Sequence, residues 1–390
     1  MRIAILSWES LQSIAVGGVA THVSELAAAM AREGEEIHVV TRLGPGQRAY
    51  KLVDGVHYHR CAYDSRPDFV SDIDNMCRAF VDRLWQIEDY SGCIDAVHGH
   101  DWLTAKAAAW ARAGRGKRVV MTFHSTEYGR AGNCFNEGLS RTIRDYEWHA
   151  QYESDAVIAV SNAVGEEVIR IYGTPRSKIT VIYNGVNPRR FDGWVDPEKV
   201  KERCGVRAGR PMVLFVGRLV YQKGPDDLLD AIPLVLAPHP EARFVFVGEG
   251  DMRRSLEDRA AYLGVGHATR FLGWRGGEAL VDIYRSADIV CVPSRNEPFG
   301  IVILEAWSAG KPVVASMNGG PGEFVWHGVT GLKTLTDPRS IAEALVFLLN
   351  DARLTRWMGH NGRVAVETTF SWDHIARRTR SVYRNLSKRG

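Results

Sequence analysis

The side chains best able to do chemistry stand in short segments that follow predicted strands or lead into predicted helices. They lie in four places: residues 16–19, residues 215–224, residues 293–307 and, taken together, residues 98–102 with 122–127. These segments combine paired glycines, cations, carboxylates and imidazoles. Glycine-rich helix starts and cations suit phosphate, and carboxylates suit hydroxyl groups. The four places together indicate a ligand that carries both.

The paired glycines Gly17 and Gly18 precede an alanine-rich stretch that predicts a helix. Glycine lets the backbone approach a ligand closely, and the free N–H groups at a helix start attract an anion. The segment is not a GxGxxG sequence, so the fingerprint of dinucleotide binding is absent. A tight turn without a ligand remains the alternative interpretation.

Two cations, Arg218 and Lys223, lie five residues apart, directly after the predicted strand at residues 212–217. The fork of an arginine and the point charge of a lysine can together hold a diphosphate. Two solvated loop cations are the alternative. Ligands of open α/β sheets bind beyond the carboxyl ends of the strands, so this position favours phosphate binding.

Two carboxylates, Glu297 and Glu305, are separated by seven residues and flank a turn at Pro298 and Gly300. A helix that begins near Phe299 would place Glu305 roughly two turns inside it. The free N–H groups of that helix start suit a phosphate or sugar hydroxyls, and a carboxylate accepts hydrogen bonds from vicinal hydroxyls. A capped surface helix with incidental acids is the alternative.

Three histidines, His98, His100 and His124, accompany Asp101 and Glu127 at the ends of two predicted strands. Such a set raises the question of a metal ion. However, no HExxH sequence or facial-triad spacing occurs, and we expect His98 and His100 on opposite faces of their strand. The pattern therefore favours a polar lining for a sugar and predicts no metal site.

The elements that must position these residues form a strand, glycine turn and helix pattern, which occurs twice along the chain. Strands alternating with helices predict an α/β protein with two Rossmann-like, doubly wound parallel sheets. We predict a first domain at residues 1–187, a linker at 188–210, a second domain at 211–370 and a C-terminal helix at 371–390. The ligand site is then expected in a cleft between the domains.

Composition limits the class of protein. The chain has 390 residues, of which 45% are hydrophobic and 24% charged, as in folded globular proteins. A net charge of +3 gives no argument for nucleic acid, and a basic run at residues 377–389 leaves peripheral membrane contact open but not favoured. The six scattered cysteines and the short first apolar run are typical of a cytoplasmic protein without a leader or membrane span.

In this order the segments resemble the retaining glycosyltransferases of the GT-B fold, specifically glycosyltransferase family 4. The matching residues are Gly17-Gly18, Ser161-Asn162, Asn184-Gly185-Val186, Val216-Gly217-Arg218, Lys223-Gly224, Gly248-Glu249-Gly250, Glu297-Pro298-Phe299-Gly300, Glu305 and Gly310-Lys311-Pro312-Val313-Val314. Ser7-Trp8-Glu9 and His100-Asp101-Trp102 look like bacterial and archaeal glycogen-synthase-like members. Glycogen synthases place a lysine before the paired glycines, where this chain has Ala15-Val16, which weakens the case for ADP-glucose and glycogen.

The resemblance implies roles for individual residues. Arg218 and Lys223 would bind the donor diphosphate, Glu297 the sugar hydroxyls, and His124 would lie beside the anomeric carbon, so these four are the implied catalytic residues. The implied donor-binding residues are Gly17, Gly18, Gly217, Gly248, Glu249, Gly250, Arg275, Phe299, Gly300, Ile301 and Glu305, and the implied acceptor-side residues are His100, Asp101 and Asn162. No cofactor or metal is implied, since the two cations can neutralise the leaving group.

The implied reaction moves a hexosyl unit, favoured to be glucose or a derivative, from a nucleoside-diphosphate sugar to a hydroxyl with retention. UDP is the favoured nucleotide, with ADP and GDP left open. Open acceptors are a glucan, a cyclitol, a small metabolite or a lipid-linked sugar, selected by first-domain loops predicted at residues 41–74 and 126–138. The alternatives are a sugar-nucleotide epimerase of this fold and a non-catalytic nucleotide-sugar sensor. The final helix resembles the segment that crosses back to the first domain in GT-B proteins.

Overall fold

The computed structural model describes residues 1–387, which form two compact units. Unit 1 contains residues 1–185 together with a final helix that begins at Trp372, and unit 2 is Val186–Ser371. Each unit has its own parallel sheet with helices on both faces. Among the described residues, no helix is both long enough and apolar enough to cross a bilayer.

The sheet of unit 1 has eight strands within the described residues. These are β1 (Arg2–Leu6), β2 (Glu36–Arg42), β3 (Tyr50–Val53), β4 (Val56–Cys61), β5 (Ala96–His100), β6 (Val119–Phe123), β7 (Ala156–Ala159) and β8 (Ile179–Val181). Their order is β3-β4-β2-β1-β5-β6-β7-β8, and every pair is parallel except β3 with β4. The helices are α1 (Gly18–Arg32), α2 (Phe69–Ser91), α3 (Ala105–Arg115), α4 (Glu127–Arg130), α5 (Leu139–Glu153) and α6 (Asn162–Tyr172).

The central strands of unit 1 are buried on both faces, which requires almost continuous apolar sequence. Residues of β1 alternate between two hydrophobic clusters, with Ile3 and Ile5 on one face and Ala4 and Leu6 on the other. In the parallel register, the His100 position of β5 pairs with Thr122 of β6. The carboxyl ends of β1, β5 and β6 therefore meet at one edge of the sheet.

Unit 2 has a six-stranded sheet that is parallel throughout. Its strands and helices are α7 (Pro197–Arg203), β9 (Met212–Val216), α8 (Pro225–Leu236), β10 (Arg243–Val247), α9 (Arg253–Tyr262), β11 (Thr269–Gly273), α10 (Gly277–Ser286), β12 (Ile289–Val292), α11 (Ile301–Ser308), β13 (Val313–Ser316), α12 (Gly320–Phe324), β14 (Gly331–Thr334), α13 (Pro338–Asn350) and α14 (Ala352–Thr368). The strand order is β11-β10-β9-β12-β13-β14. It reverses direction between β9 and β12, the kind of switch point at which such sheets bind ligands.

Residues 188–210, predicted as a linker, are instead a folded part of unit 2. They contain helix α7, whose N-cap Asp196 accepts hydrogen bonds from two backbone N–H groups. Val200, Cys204 and Val206 are buried. The polar composition of this stretch reflects the exposed face of α7, because a short amphipathic helix needs only a few apolar residues to pack.

The final helix, α15 (Trp372–Ser387), packs on unit 1. Trp372, Ile375 and Tyr383 join the same hydrophobic cluster as the buried face of α1. Arg380 forms an ion pair with Glu35. The last two cations of the predicted basic run, Lys388 and Arg389, lie outside the described residues.

The segment 41–74, predicted as a loop, contains the hairpin of β3 and β4 and the start of α2. The hairpin turns at Asp54, which has a left-handed φ of 52°, and Gly55. The two strands are short and contain many polar residues, so they lack the aliphatic runs from which the other strands were predicted. The pairing adds β4 and β3 beside β2 at one edge of the sheet.

Candidate active site

Three histidines of unit 1 come together at the carboxyl ends of its strands. His22 comes from the first turns of α1, His100 ends β5, and His124 follows β6. His100 Nδ1 lies 3.0 Å from His124 Nε2, and His22 Nδ1 lies 2.7 Å from Asn184 Oδ1. The rings of His22 and His124 meet edge to face at 4.5 Å between centroids. We call His22, His100 and His124 the histidine cluster.

The histidine cluster is uncharged at neutral pH. Burial lowers the pKa of His124 to about 3, and burial together with the neighbouring imidazoles holds the pKa values of His22 and His100 well below the usual range. The Nε2 atoms of His22 and His100 are buried and have no hydrogen-bond partner among the described residues. Neutral rings with unused nitrogens can accept hydrogen bonds from hydroxyl groups of a ligand.

The histidine cluster could also ligate a metal, because one ring nitrogen from each histidine lies within 4.8 Å of the others. The expectation that His98 and His100 point to opposite faces is wrong. Their ring centroids are 4.4 Å apart, since residues two positions apart in a strand share a face. His98 is nonetheless engaged elsewhere, because its two ring nitrogens contact Thr122 Oγ1 and Tyr383 Oη, each at 2.6 Å.

Asp101 is held in a conformation that is costly for a residue with a side chain. Its φ of 55° is left-handed, and its carboxylate accepts a hydrogen bond from the backbone N–H of His124 at 2.8 Å. Burial raises the pKa of Asp101 to about 6, while Arg130 acts in the opposite direction. Backbone strain of this kind persists where the surroundings enforce it, and it is concentrated at functional sites.

The paired glycines face a carboxylate of their own unit. Glu9 Oε2 accepts hydrogen bonds from the N–H groups of Val16 and Gly17, both at 2.6 Å. Burial raises the pKa of Glu9. The N–H of Gly17, predicted to be free for an anion, is therefore occupied in this structure, because a nearby acid satisfies it. Gly18 is the first residue of α1.

In unit 2, Lys223 and Glu297 join two loops at the switch point. Lys223 Nζ lies 2.7 Å from Glu297 Oε2, which also accepts a hydrogen bond from Ser294 Oγ at 2.9 Å. Glu297 is buried, whereas Lys223 is partly exposed. Arg218 is exposed, with Nη2 3.4 Å from Gln222 Oε1. We call Arg218, Lys223, Ser294 and Glu297 the switch-point site.

Helix α11 begins two residues closer to Glu305 than the sequence predicted. Gly300 has a left-handed φ of 97° and caps a helix that starts at Ile301, so Glu305 is the fifth helical residue. Tyr284 Oη donates to Glu305 Oε2 at 2.8 Å, and burial raises the pKa of this carboxyl. The ring of Phe299 is buried and stacks on Phe324, which leaves the Phe299 backbone as the part able to contact a ligand.

Two family models match the chain, "Glycosyltransferase Family 4" over residues 16–190 and "Glycosyl transferases group 1" over residues 196–365. An uncharacterized glycosyltransferase of Methanocaldococcus jannaschii is 39% identical over 98% of each chain. The chain belongs to family 4 of the glycosyltransferases. Glycogen synthase of Mycobacterium tuberculosis is a further relative, 33% identical over 100% of this chain and 96% of its own length.

The architecture of this glycosyltransferase is the GT-B fold, as the resemblance implied. A solved structure of HepE from Anabaena in complex with UDP and glucose superposes with a TM-score of 0.80. It covers 99% of this chain and 100% of that chain at 22% identity, so the likeness is one of fold. Both the predicted fold class and the predicted family are confirmed.

In unit 1, four side chains have roles implied by the resemblance. The structure brings three of them together and places the fourth elsewhere. His100, Asp101 and His124 are in direct contact. Asn162 is exposed at the start of α6, beyond strand β7, and its Nδ2 lies 3.4 Å from Tyr183 Oη. The acceptor-side role of Asn162 stays a prediction.

Within unit 2, the remaining predicted residues follow three neighbouring strands. Gly217 follows β9, residues 248–250 follow β10, and Arg275 follows β11. A Cβ on Gly248 would collide with the carbonyl oxygen of Gly217, so these loops pack backbone against backbone. Glu249 and Arg275 are exposed, and Arg275 Nη1 contacts the Trp274 carbonyl at 2.8 Å. Their role at the nucleobase stays a prediction.

Sequence reasoning missed three participants. His22 lies on the buried face of α1 and looked like part of an ordinary helix, although a histidine in an alanine-rich stretch was a usable signal. Ser294 lies in segment 293–307, but no role was predicted for it. Gly319, with φ of 69°, lies where a Cβ would collide with the carbonyl oxygen of Glu297, and the Gly320 N–H donates to that oxygen at 2.9 Å.

The buried histidines predict that unit 1 loses stability in mild acid. Burial lowers the pKa of His98 and His124 in the folded state to about 3. Below pH 6.5 the unfolded chain therefore binds protons that the folded chain does not bind, and the free energy of unfolding falls. Each such histidine removes up to about 1.4 kcal/mol per pH unit. Asp101 acts in the opposite sense, because its pKa of about 6 is raised, and its protonation in acid favours the folded state.

Urea unfolding at pH 7 and pH 5 measures the balance of these effects, and we expect a clearly lower midpoint at pH 5. The variant His98→Gln, whose amide can replace both hydrogen bonds of the ring, should show a smaller difference between the two pH values. Equal midpoints for the natural chain would contradict the assignment of neutral, buried imidazoles.

Proposed function

We propose that this glycosyltransferase moves a hexosyl unit, glucose or a glucose derivative, from a nucleoside-diphosphate sugar to a hydroxyl acceptor with retention of configuration. The observation that carries the proposal is the switch-point site. There, Lys223 pairs with the buried carboxylate of Glu297 beyond the carboxyl ends of β9 and β12, and Arg218 lies on the same loop as Lys223. Cations suit the diphosphate and the carboxylate suits the sugar.

In the proposed reaction, Arg218 and Lys223 contact the diphosphate oxygens. The bond from the anomeric carbon to the diphosphate breaks, and negative charge collects on the leaving group, where preorganised cations are most effective. The acceptor hydroxyl forms the new bond on the same face of an oxocarbenium-like sugar, and its proton leaves with the diphosphate. Glu297 holds the sugar hydroxyls and is itself fixed by Ser294 and Lys223.

UDP is the favoured nucleotide. Support comes from HepE, whose structure was solved with UDP and glucose, and from Ala15-Val16, which departs from the lysine of glycogen synthases. The testing experiment is a screen of UDP-, ADP- and GDP-sugars for slow hydrolysis without acceptor, followed by an acceptor screen with the preferred donor. Release of nucleoside diphosphate from one donor supports the proposal, and no release from any donor opposes it.

The two alternatives give different products. An epimerase would return a new sugar nucleotide, and a sensor would bind the donor without releasing nucleoside diphosphate. Anion-exchange chromatography of the reaction separates both outcomes from transfer. No nucleic acid is part of the proposal.

We propose that the reaction needs no metal or other cofactor, because Arg218 and Lys223 supply the positive charge. Activity is therefore expected to survive EDTA, and added Mg²⁺ should change it only modestly. The histidine cluster makes this a demanding test, since its nitrogens are suited to Zn²⁺. Loss of activity in EDTA that Zn²⁺ restores in the natural chain, but not in His22→Gln, would assign a metal to the cluster and overturn this part of the proposal.

A further inference from the structure

A separate cavity of about 670 Å³ lies in unit 1, beside the β3–β4 hairpin. Its walls come from the loop between β1 and α1, the segment between β2 and β3, and the hairpin strands. The lining residues that matter here are Gln12, Arg48, Tyr50, Lys51, Leu52 and Arg60. Because β4 is parallel to β2, the cavity lies at the same sheet edge as the carboxyl ends of the central strands.

The charged side chains that line this cavity are all cations. Arg48, Lys51 and Arg60 line it, and no aspartate or glutamate does. None of the three cations forms an ion pair within residues 1–387, although most arginines and lysines elsewhere in unit 1 have acidic neighbours to pair with. Cations gathered without acids attract an anion.

Arg60 is the most informative of these cations, because it is only 5% exposed. Its Nη1 donates to the Arg48 carbonyl at 2.9 Å, while its buried Nε has no hydrogen-bond partner among the described residues. Burial lowers the pKa of this guanidinium. A buried charge without a counter-charge is costly, and a bound oxyanion would remove that cost by accepting hydrogen bonds from the guanidinium fork.

The rest of the cavity has fixed walls and an apolar side. Gln47 Nε2 donates to the Ser13 carbonyl, and Gln47 Oε1 accepts from the Gly44 N–H, each at 3.0 Å, so two of the loops are held together. Tyr50 and Leu52 are 48% and 56% exposed. An aromatic ring and an aliphatic side chain beside cations suit an anionic group attached to a ring such as a sugar or cyclitol.

We propose that this cavity binds the anionic group, phosphate or carboxylate, of the acceptor substrate. The acceptor is then a charged sugar or cyclitol rather than a neutral glucan. The identification of the bound molecule as the acceptor rests on the proposed function, whereas anion binding in the cavity does not depend on it. Most of the residues that line the cavity also belong to segment 41–74, which was predicted to select the acceptor.

Binding is tested first, without any reaction. Inorganic phosphate is titrated into ¹³C-methyl-leucine-labelled full-length protein saturated with UDP, so that the switch-point site is already filled. We expect the methyl signals of Leu11 and Leu52, both of which line the cavity, to shift while that of Leu219, beside the switch-point loop, does not. Unmoved Leu11 and Leu52 signals, or equal shifts in chloride of matched ionic strength, overturn the anion site.

Variants tie that binding to the named cations. Arg48→Gln and Lys51→Gln change exposed side chains and should each weaken phosphate binding about tenfold, the usual consequence of losing a charged hydrogen bond. Arg60→Gln should weaken it at least as much, and the two exposed variants decide the matter if Arg60→Gln does not fold. The control Arg176→Gln removes an exposed cation of unit 1 that pairs with Glu166, and it should bind phosphate normally.

The acceptor assignment is tested with glucose, glucose 1-phosphate, glucose 6-phosphate and glucuronate in parallel. We expect at least one charged sugar to have a KM tenfold or more below that of glucose, and Lys51→Gln to reduce this preference by raising KM rather than lowering kcat. The phosphate and carboxylate arms identify which anion is recognised. Phosphate binding in the cavity combined with equal use of glucose and the charged sugars overturns the acceptor assignment, whereas absence of all transfer argues against the proposed function and leaves the binding result to stand.

Discussion

Lys223→Ala is expected to lower turnover about a hundredfold while the chain remains folded. The lysine supplies charge where the leaving diphosphate becomes more negative, and loss of one such preorganised group typically costs about 3 kcal/mol of transition-state stabilisation. The substitution also removes the cation 2.7 Å from buried Glu297. Ser294 remains as a hydrogen-bond donor to that carboxylate, so we expect the larger effect on kcat rather than on stability.

Steady-state kinetics and thermal unfolding of the same preparations separate these effects. Arg218→Ala should lower turnover in a similar way with less change in stability, because Arg218 is exposed. Lys199→Ala is the matched control, an exposed lysine of unit 2 that pairs with Asp196, and it should leave turnover unchanged. Near-normal turnover in both Lys223→Ala and Arg218→Ala would remove the diphosphate role from the switch-point site.

Removal of residues 371–390 is expected to unfold unit 1. Helix α15 contributes six buried side chains to the cluster that also includes α1: Trp372, Ile375, Ala376, Val382, Tyr383 and Leu386. Burial of a large apolar side chain is worth about 1.5–3 kcal/mol, so their sum approaches the whole net stability of a typical domain, about 5–15 kcal/mol. The truncated protein should be poorly soluble and inactive.

A milder variant shows whether the helix acts through packing alone. Tyr383→Phe keeps the ring but removes the hydroxyl that lies 2.6 Å from His98 Nδ1. It should cost about 1–3 kcal/mol, the usual penalty for a buried polar group left without its partner. Chemical denaturation followed by circular dichroism measures both variants. A truncated chain with normal solubility and turnover would show that α15 is dispensable to unit 1.

The two sheets and the switch-point site could be predicted because their signals are local. Aliphatic runs identify the buried strands, and the residues after those strands must lie at one sheet edge. Arg218, Lys223 and Glu297 were found in this way, since each lies in the loop that follows its strand. The contact between Lys223 and Glu297, which are 74 positions apart, follows from the adjacency of β9 and β12.

Some of the features that escaped prediction depend on tertiary contacts that no local pattern specifies. No local pattern pairs Glu9 with the Gly17 N–H or places His22 against His100 and His124. The β3–β4 hairpin escaped because antiparallel edge strands carry polar residues, and helix α7 escaped because it is short. The prediction that His98 and His100 lie on opposite faces of their strand was wrong, although the two-residue period of a strand places both on one face.

The most direct test of the account follows the fate of the donor. The full chain is incubated with UDP-glucose, without and then with the panel of neutral and charged acceptors, and nucleotides and sugars are quantified by chromatography. We predict that UDP appears in equal amount to free glucose in the first case and to an α-linked glucoside in the second. Recovery of unchanged donor throughout, or of an epimerised sugar nucleotide without free UDP, would contradict glycosyl transfer by this protein.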